Sequence, residues 1–184
     1  MRVPFLAVRT RSAEETGSLG RRIGAVVRPG ELLLLVGDLG TGKTTFVQGL
    51  ASGLGFERRA RSPSFTMVHE YRGGRYPLIH VDLYRCTNPA EVLDLGLEEL
   101  FEPPAVGAVE WGEKAAAIAG RDYLELQFSW DAIEGGASSA LPDDDVRNIQ
   151  FLPSGRWNDR MADLREVVQG WANATPERSG GATS

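Results

Sequence analysis

Residues 32–44 read Leu-Leu-Leu-Leu-Val-Gly-Asp-Leu-Gly-Thr-Gly-Lys-Thr. Five apolar residues in a row make a strand that is apolar on both faces, the pattern of a strand buried in a parallel sheet. The stretch Gly37 to Thr44 then meets every fixed position of G-x-x-x-x-G-K-[ST]. After it, Phe46, Val47 and Leu50 stand at the spacing that turns one side of a helix over 43–53 towards a core. Strand, glycine loop and helix in this order confine the chain to an α/β fold with an anion site at a strand's end.

Each residue type in the loop has a physical reason. Glycines let the backbone turn tightly enough for its N–H groups to face phosphate oxygens. The helix that follows offers its positive end to the same anion. Lys43 can reach β- and γ-phosphates, and the Thr44 hydroxyl can ligate Mg2+. The chain relies on arginine and contains only two lysines, Lys43 and Lys114. One of them stands where a compact ammonium is wanted. The reading is a nucleotide site.

The rest of the chain supplies a sheet. VPFLAV (3–8) reads as a first strand, and Ser12-Ala13-Glu14-Glu15 as a capping box opening a helix that stops at Arg28-Pro29-Gly30. FTMVHEY and YPLIHVDLY flank Arg72-Gly73-Gly74-Arg75 and predict an antiparallel hairpin. Asn88-Pro89 starts a short helix. AVGAVE (105–110) is a buried strand with a helix near 111–119 behind it, and YLELQFSW (123–130) and VRNIQFL (146–152) are two more strands. The expected organisation is one domain over 1–172, with a flexible loop at 131–145, an amphipathic helix at 156–172 and a disordered tail at 173–184.

Composition sets limits. The net charge is −5, and the basic residues crowd into the first 75 positions, so a broad basic nucleic-acid surface is not expected. The densest basic spot, Arg58, Arg59 and Arg61, reads as a solvated loop or a contact to an acidic partner. No stretch approaches the ~18 apolar residues of a membrane span. One cysteine, Cys86, allows no internal disulfide, which fits a reducing cytosol. The expected compartment is the cytoplasm.

Phosphoryl transfer also needs an acid near the metal and a group to orient the attacking oxygen. Asp82 closes PLIHVD and Glu110 closes AVGAVE. Strand C-termini of a parallel sheet line the same crevice as the loop, so either carboxylate can serve. Ser62-Pro63-Ser64-Phe65-Thr66 is a hydroxyl-rich loop of the kind that folds over a γ-phosphate, or an ordinary connection. His69 and His80 receive no role. Neither Asn-Lys-x-Asp nor Asp-x-x-Gly occurs, which argues against a GTPase. An ATPase, a small-molecule kinase and a non-hydrolysing adaptor gated by nucleotide remain open on these residues alone.

The ordered set GDLGTGKTTFVQGL, SPSFTMVHEY, HVDLYR and VEWGEK resembles the TsaE (YjeE) family of small bacterial P-loop ATPases, over roughly residues 5–130. The resemblance implies a P-loop NTPase three-layer sandwich with a mixed, mostly parallel sheet. It implies ATP and Mg2+ as cofactors and a part in forming N6-threonylcarbamoyladenosine in tRNAs that read codons beginning with A. The implied partners are TsaD and TsaB, with tRNA met only through the complex. Carried over, Gly37, Asp38, Leu39, Gly40, Thr41, Gly42, Lys43, Thr44 and Thr45 form the nucleotide cradle, and Thr44 and Glu110 ligate Mg2+. Lys43 and Asp82 are the residues of hydrolysis, Ser62, Ser64 and Thr66 match a switch-like loop, and Trp111 matches the aromatic after the metal-binding glutamate. The connection 131–145 is long for the family.

Overall fold

A computed structural model describes residues 5–57, 66–116, 119–120, 122–130 and 146–174. Seven strands form one sheet: β1 (Leu6–Thr10), β2 (Leu32–Val36), β3 (Val68–Tyr71), β4 (Leu78–Asp82), β5 (Val106–Glu110), β6 (Leu124–Trp130) and β7 (Arg147–Pro153). Their order is β1-β7-β6-β2-β5-β4-β3. The central strands β6, β2, β5 and β4 pair in parallel, while β7 and β3 run against their neighbours. Because β1 pairs antiparallel to β7, it regains the direction of the central four, and the sheet is mixed and mostly parallel. The hairpin read around Arg72–Arg75 is β3 and β4.

The unbroken run Leu32–Val36 feeds two cores. Leu33 and Leu35 join one with Ile23 of α1 (Ala13–Val26), Phe46 and Leu50 of α2 (Lys43–Gly53) and Leu164 of α5 (Met161–Ala174). Leu32 and Leu34 join the other with Val92 of α3 (Pro89–Leu93) and Leu97 of α4 (Leu97–Leu100). Side chains alternate across a strand, so a central strand covered on both faces must be apolar throughout. The result is three layers.

The loop's helix is anchored by a seam of bare α-carbons. A Cβ on Gly20 would lie 2.2 Å from the Phe46 carbonyl oxygen, and one on Gly49 would lie 1.9 Å from that of Gly17. Gly24 and Gly53 meet the carbonyls of Leu50 and Arg21 in the same way. From the hairpin turn, Arg75 donates to the carbonyls of Gly24, Ala25 and Val27 at the end of α1. Its own N–H donates to the Leu54 carbonyl at the end of α2. These are the carbonyls a helix terminus leaves without partners.

The capping box holds in substance. Ser12 accepts from the Glu15 N–H at 3.1 Å, but Glu15 reaches back to the N–H of Arg11, not of Ser12. Two helix expectations need correction. In place of a helix over 111–119, among the described residues of that stretch only Gly112–Lys114 winds, as a 3-10 turn. Trp111 leaves β5 in the left-handed region at φ 59° and breaks the α path. The C-terminal helix begins as a 3-10 segment, Gly155–Arg160, and becomes α-helical at Met161. There the Asn158 side chain donates to the Gly155 carbonyl, a local bond that competes with α-helical pairing. Asn173 and Ala174, expected in the tail, belong to α5. The arginines 58, 59 and 61, the connection 131–145 and the tail from 175 lie outside the described residues.

Candidate nucleotide-binding site

The hairpin and β5 place the acids. In β4 the alternation puts Leu78, His80 and Asp82 on one face, and in β5 it does the same for Val106, Ala108 and Glu110. Leu78, Val106 and Ala108 belong to the core beneath α1 and α2, so the carboxylates face α2. Asp82 and Glu110 are partners in the parallel register, both at C-terminal strand ends. The expectation that either acid could stand at the crevice is met by both.

The loop delivers the start of α2 to the same place. Gly42 is left-handed at φ 101°, and the helix it opens has no side-chain cap. By contrast, α1 is capped by Ser12 and α3 by Asn88. The first-turn N–H groups of α2 are thus left for an anion. Thr41 ties the loop by donating its hydroxyl to the Asp38 carbonyl at 2.8 Å.

From α2, the Thr44 hydroxyl donates to Glu110 Oε2 at 2.8 Å. The other oxygen of that carboxylate, Oε1, meets His80 Nε2 at 2.8 Å. His80 has no solvent exposure. Asp82 holds the following loop, with Oδ1 accepting the Tyr84 N–H at 3.0 Å. The Lys43 ammonium donates to the carbonyls of Gly37 and Asp38 at 2.6 and 2.7 Å and lies against the Trp111 ring. Burial pulls its pKa below the ordinary lysine value, opposed by the charges of Glu110, Glu113, Asp82 and Asp38.

The second lysine frames the other wall. Lys114 Nζ donates to the carbonyls of Leu83, Tyr84 and Cys86, and it faces the same Trp111 ring at 5.6 Å. Tyr84 packs on that indole with ring centroids 5.2 Å apart. Together these elements enclose a cleft of about 440 Å³.

Six of the nine predicted cradle residues line it: Leu39, Gly40, Gly42, Lys43, Thr44 and Thr45. Asp82, Glu110 and Trp111 line it too. Gly37, Asp38 and Thr41 are not among the lining residues and shape the loop through the bonds given above. Thr66 is exposed in the turn before β3 and is not among the lining residues. Ser62 and Ser64 lie outside the described residues. The sequence reading missed Tyr84 and Arg85 in the lining, and it passed over His80. His80 had a signal, since His-x-Asp in a strand puts both side chains on one face. Across the loop from the acids, Arg147 lies over the Trp130 ring at 4.7 Å. Its Nε is 3.2 Å from where a Gly42 Cβ would stand.

No group of three or more His, Cys, Asp or Glu able to hold a metal occurs among the described residues. A hydroxyl and a carboxylate 2.8 Å apart beside an anion cradle fit Mg2+ instead, which is typically held by one or two protein oxygens together with substrate phosphates.

Fold and loop together define a P-loop α/β protein. The profile of the family described as "Threonylcarbamoyl adenosine biosynthesis protein TsaE" matches residues 10–136, and the chain belongs to that family. It is 48% identical to the tRNA threonylcarbamoyladenosine biosynthesis protein TsaE of Bacillus subtilis over 147 residues, 80% of this chain and 85% of that one. It is 37% identical to the protein of the same name from Streptomyces coelicolor over 143 residues, 76% of this chain and 91% of that one. The crystal structure of Bacillus subtilis YdiB superposes with a TM-score of 0.71 at 34% identity, covering 94% of this chain and 99% of the other. The family places the chain in tRNA threonylcarbamoyladenosine biosynthesis.

Proposed function

We propose that the chain is the Mg2+-dependent ATPase of that pathway and works in the cytoplasm beside TsaD and TsaB. One observation carries the reading: at the uncapped start of α2, the Thr44 hydroxyl and Glu110 carboxylate sit 2.8 Å apart, next to a buried Lys43. Residues 37–45 would bind the phosphates through loop amides and the Lys43 ammonium. Thr44 and Glu110 would hold Mg2+, which would supply positive charge to offset that of the phosphates.

Asp82 lines the same cleft, its Oδ1 accepting the Tyr84 N–H, and its carboxylate would orient an attacking water. Trp111 and Tyr84, packed on one another, would wall this end of the site. Arg147 and Trp130, on the far side of the loop from the acids, mark the side where the nucleoside would lie. Residues 62–66 would act as the switch towards the partners, and tRNA would be met only through them.

The test is phosphate release from ATP by the purified chain, alone and with TsaB and TsaD, together with ATP-dependent co-elution of the three. Weak turnover alone and faster turnover in the mixture are expected. Turnover no higher than that of a Lys43→Ala control under both conditions would overturn the reading.

A further inference from the structure

We infer that His80 is a positioning residue for the metal site, fixing the Glu110 carboxylate in the rotamer that presents Oε2 to Thr44. This rests on the reading of Thr44 and Glu110 as the residues that hold Mg2+.

The geometry is specific. His80 is wholly buried in β4, directly across the register from Ala108, whose small side chain leaves room for the imidazole to reach Glu110 two residues along β5. Its Nε2 meets Glu110 Oε1 at 2.8 Å, and an ionised carboxylate only accepts, so the hydrogen lies on Nε2. Nδ1 is buried and has no hydrogen-bond partner among the described residues. Among the described residues, the ring's polar contact is therefore with Glu110 alone. A histidine in an apolar face with a single polar bond is poorly explained as packing, because leaving a buried polar atom unpaired costs about 1–3 kcal/mol.

The bond also has something to prevent. Glu110 lies close enough to Lys43 for its charge to be the largest opposing the burial of that ammonium. A carboxylate free to turn would be drawn towards Lys43, occupying the group meant for phosphate and withdrawing Oε2 from the metal. His80 holds one oxygen, and the other, bonded to Thr44, would be the one offered to Mg2+. Outer partners of this kind orient the groups that ligate metals.

The experiment measures ADP affinity by calorimetry, with excess Mg2+ and with EDTA, in wild type and in the His80→Met, His80→Gln, His80→Asn and Glu110→Gln variants. The readout is the ratio of the two dissociation constants. Wild type is expected to bind more tightly with Mg2+. In His80→Met the ratio should fall about tenfold, in the range seen for lost outer partners of metal ligands. Affinity in EDTA should meanwhile change less than about twofold, because no phosphate contact is touched. His80→Gln, which carries an N–H donor to a similar reach, should restore most of the ratio, and the shorter His80→Asn should not. If His80→Met fails to fold, as a melting curve would show, the contrast between Gln and Asn decides. Equal loss under both conditions, or equal ratios for Gln and Asn, would overturn the inference. Should Glu110→Gln keep the wild-type ratio, the metal reading itself falls. Should Glu110→Gln lose it while His80→Met keeps it, only the role of His80 falls.

Discussion

The Lys43 ammonium stands 4.4 Å from the centroid of the Trp111 ring while bonded to the carbonyls of Gly37 and Asp38. The cation of the loop is held by the loop's own backbone and an aromatic face. A phosphate bonded to this ammonium would compete with both, and the indole beside it would register the exchange.

Adding ATP should therefore change the emission of Trp111. The chain has four tryptophans, so the signal is read as the difference between wild type and Trp111→Phe. Lys43→Ala should abolish both the emission change and ATP binding. A strain carrying only that variant should lack the modified adenosine, and normal modification there would contradict the role given to Lys43.

Asp82 has two duties that one substitution separates. Asp82→Asn keeps an oxygen for the Tyr84 N–H but loses the charge. Nucleotide affinity should stay within about threefold, while phosphate release falls at least 100-fold, the usual scale for losing a base or orienting group. Equal losses in binding and turnover would point to a structural role.

The seam between α1 and α2 gives a stability prediction. A Cβ at position 49 has no room against the Gly17 carbonyl, and backbone cannot turn aside as a side chain can. Gly49→Ala should cost about 3 kcal/mol in urea unfolding, at the upper end for overpacked cores. Gly55→Ala makes a poor control because Gly55 is left-handed, whereas Gly17→Ala, with its nearest neighbour at 3.8 Å, should be nearly neutral.

Far from the cleft, Glu31 and Arg160 form a buried ion pair. Burial raises the Glu31 pKa above the ordinary glutamate value of 4.5, against the lowering effects of an Arg28 backbone N–H and of Arg160. Just above 4.5 the folded state therefore holds a proton that the unfolded chain has released. The contribution of this group makes stability fall as pH rises through that window. Glu31→Gln should remove this component of the slope, and it should cost about 2 kcal/mol at neutral pH, because Arg160 loses its buried carboxylate but keeps the ion pair with the exposed Asp163. Denaturant titrations from pH 4.5 to 7 would show both effects.

The parts of the fold governed by local chemistry were legible in the residues. Leu32–Val36, the helix from Lys43, the Ser12 cap, the Gly-Gly hairpin and the Asn88-Pro89 start all stand where their patterns put them. What failed was set by tertiary contacts. The stretch after Glu110 has helical composition, but Trp111 turns left-handed into the cleft and Lys114 is committed to three carbonyls of the neighbouring loop. The four-residue helix α4 is too short to show a period. Within the site, the motif supplied the cradle and strand ends supplied the acids. His80 was overlooked because a histidine inside a strand does not reveal its partner until β5 is laid beside β4. The arrangement of Tyr84 and Arg85 depends on Lys114, which no pattern in the residues connects to them.

Bare α-carbons pressed on carbonyl oxygens permit no slippage, so α1 and α2 tilt as one block. Arg75 rivets the tail of that block to the turn between β3 and β4. Any rotation that a ligand imposed on the front of α2 would pass, as by a lever, to the hairpin at the outer edge of the sheet.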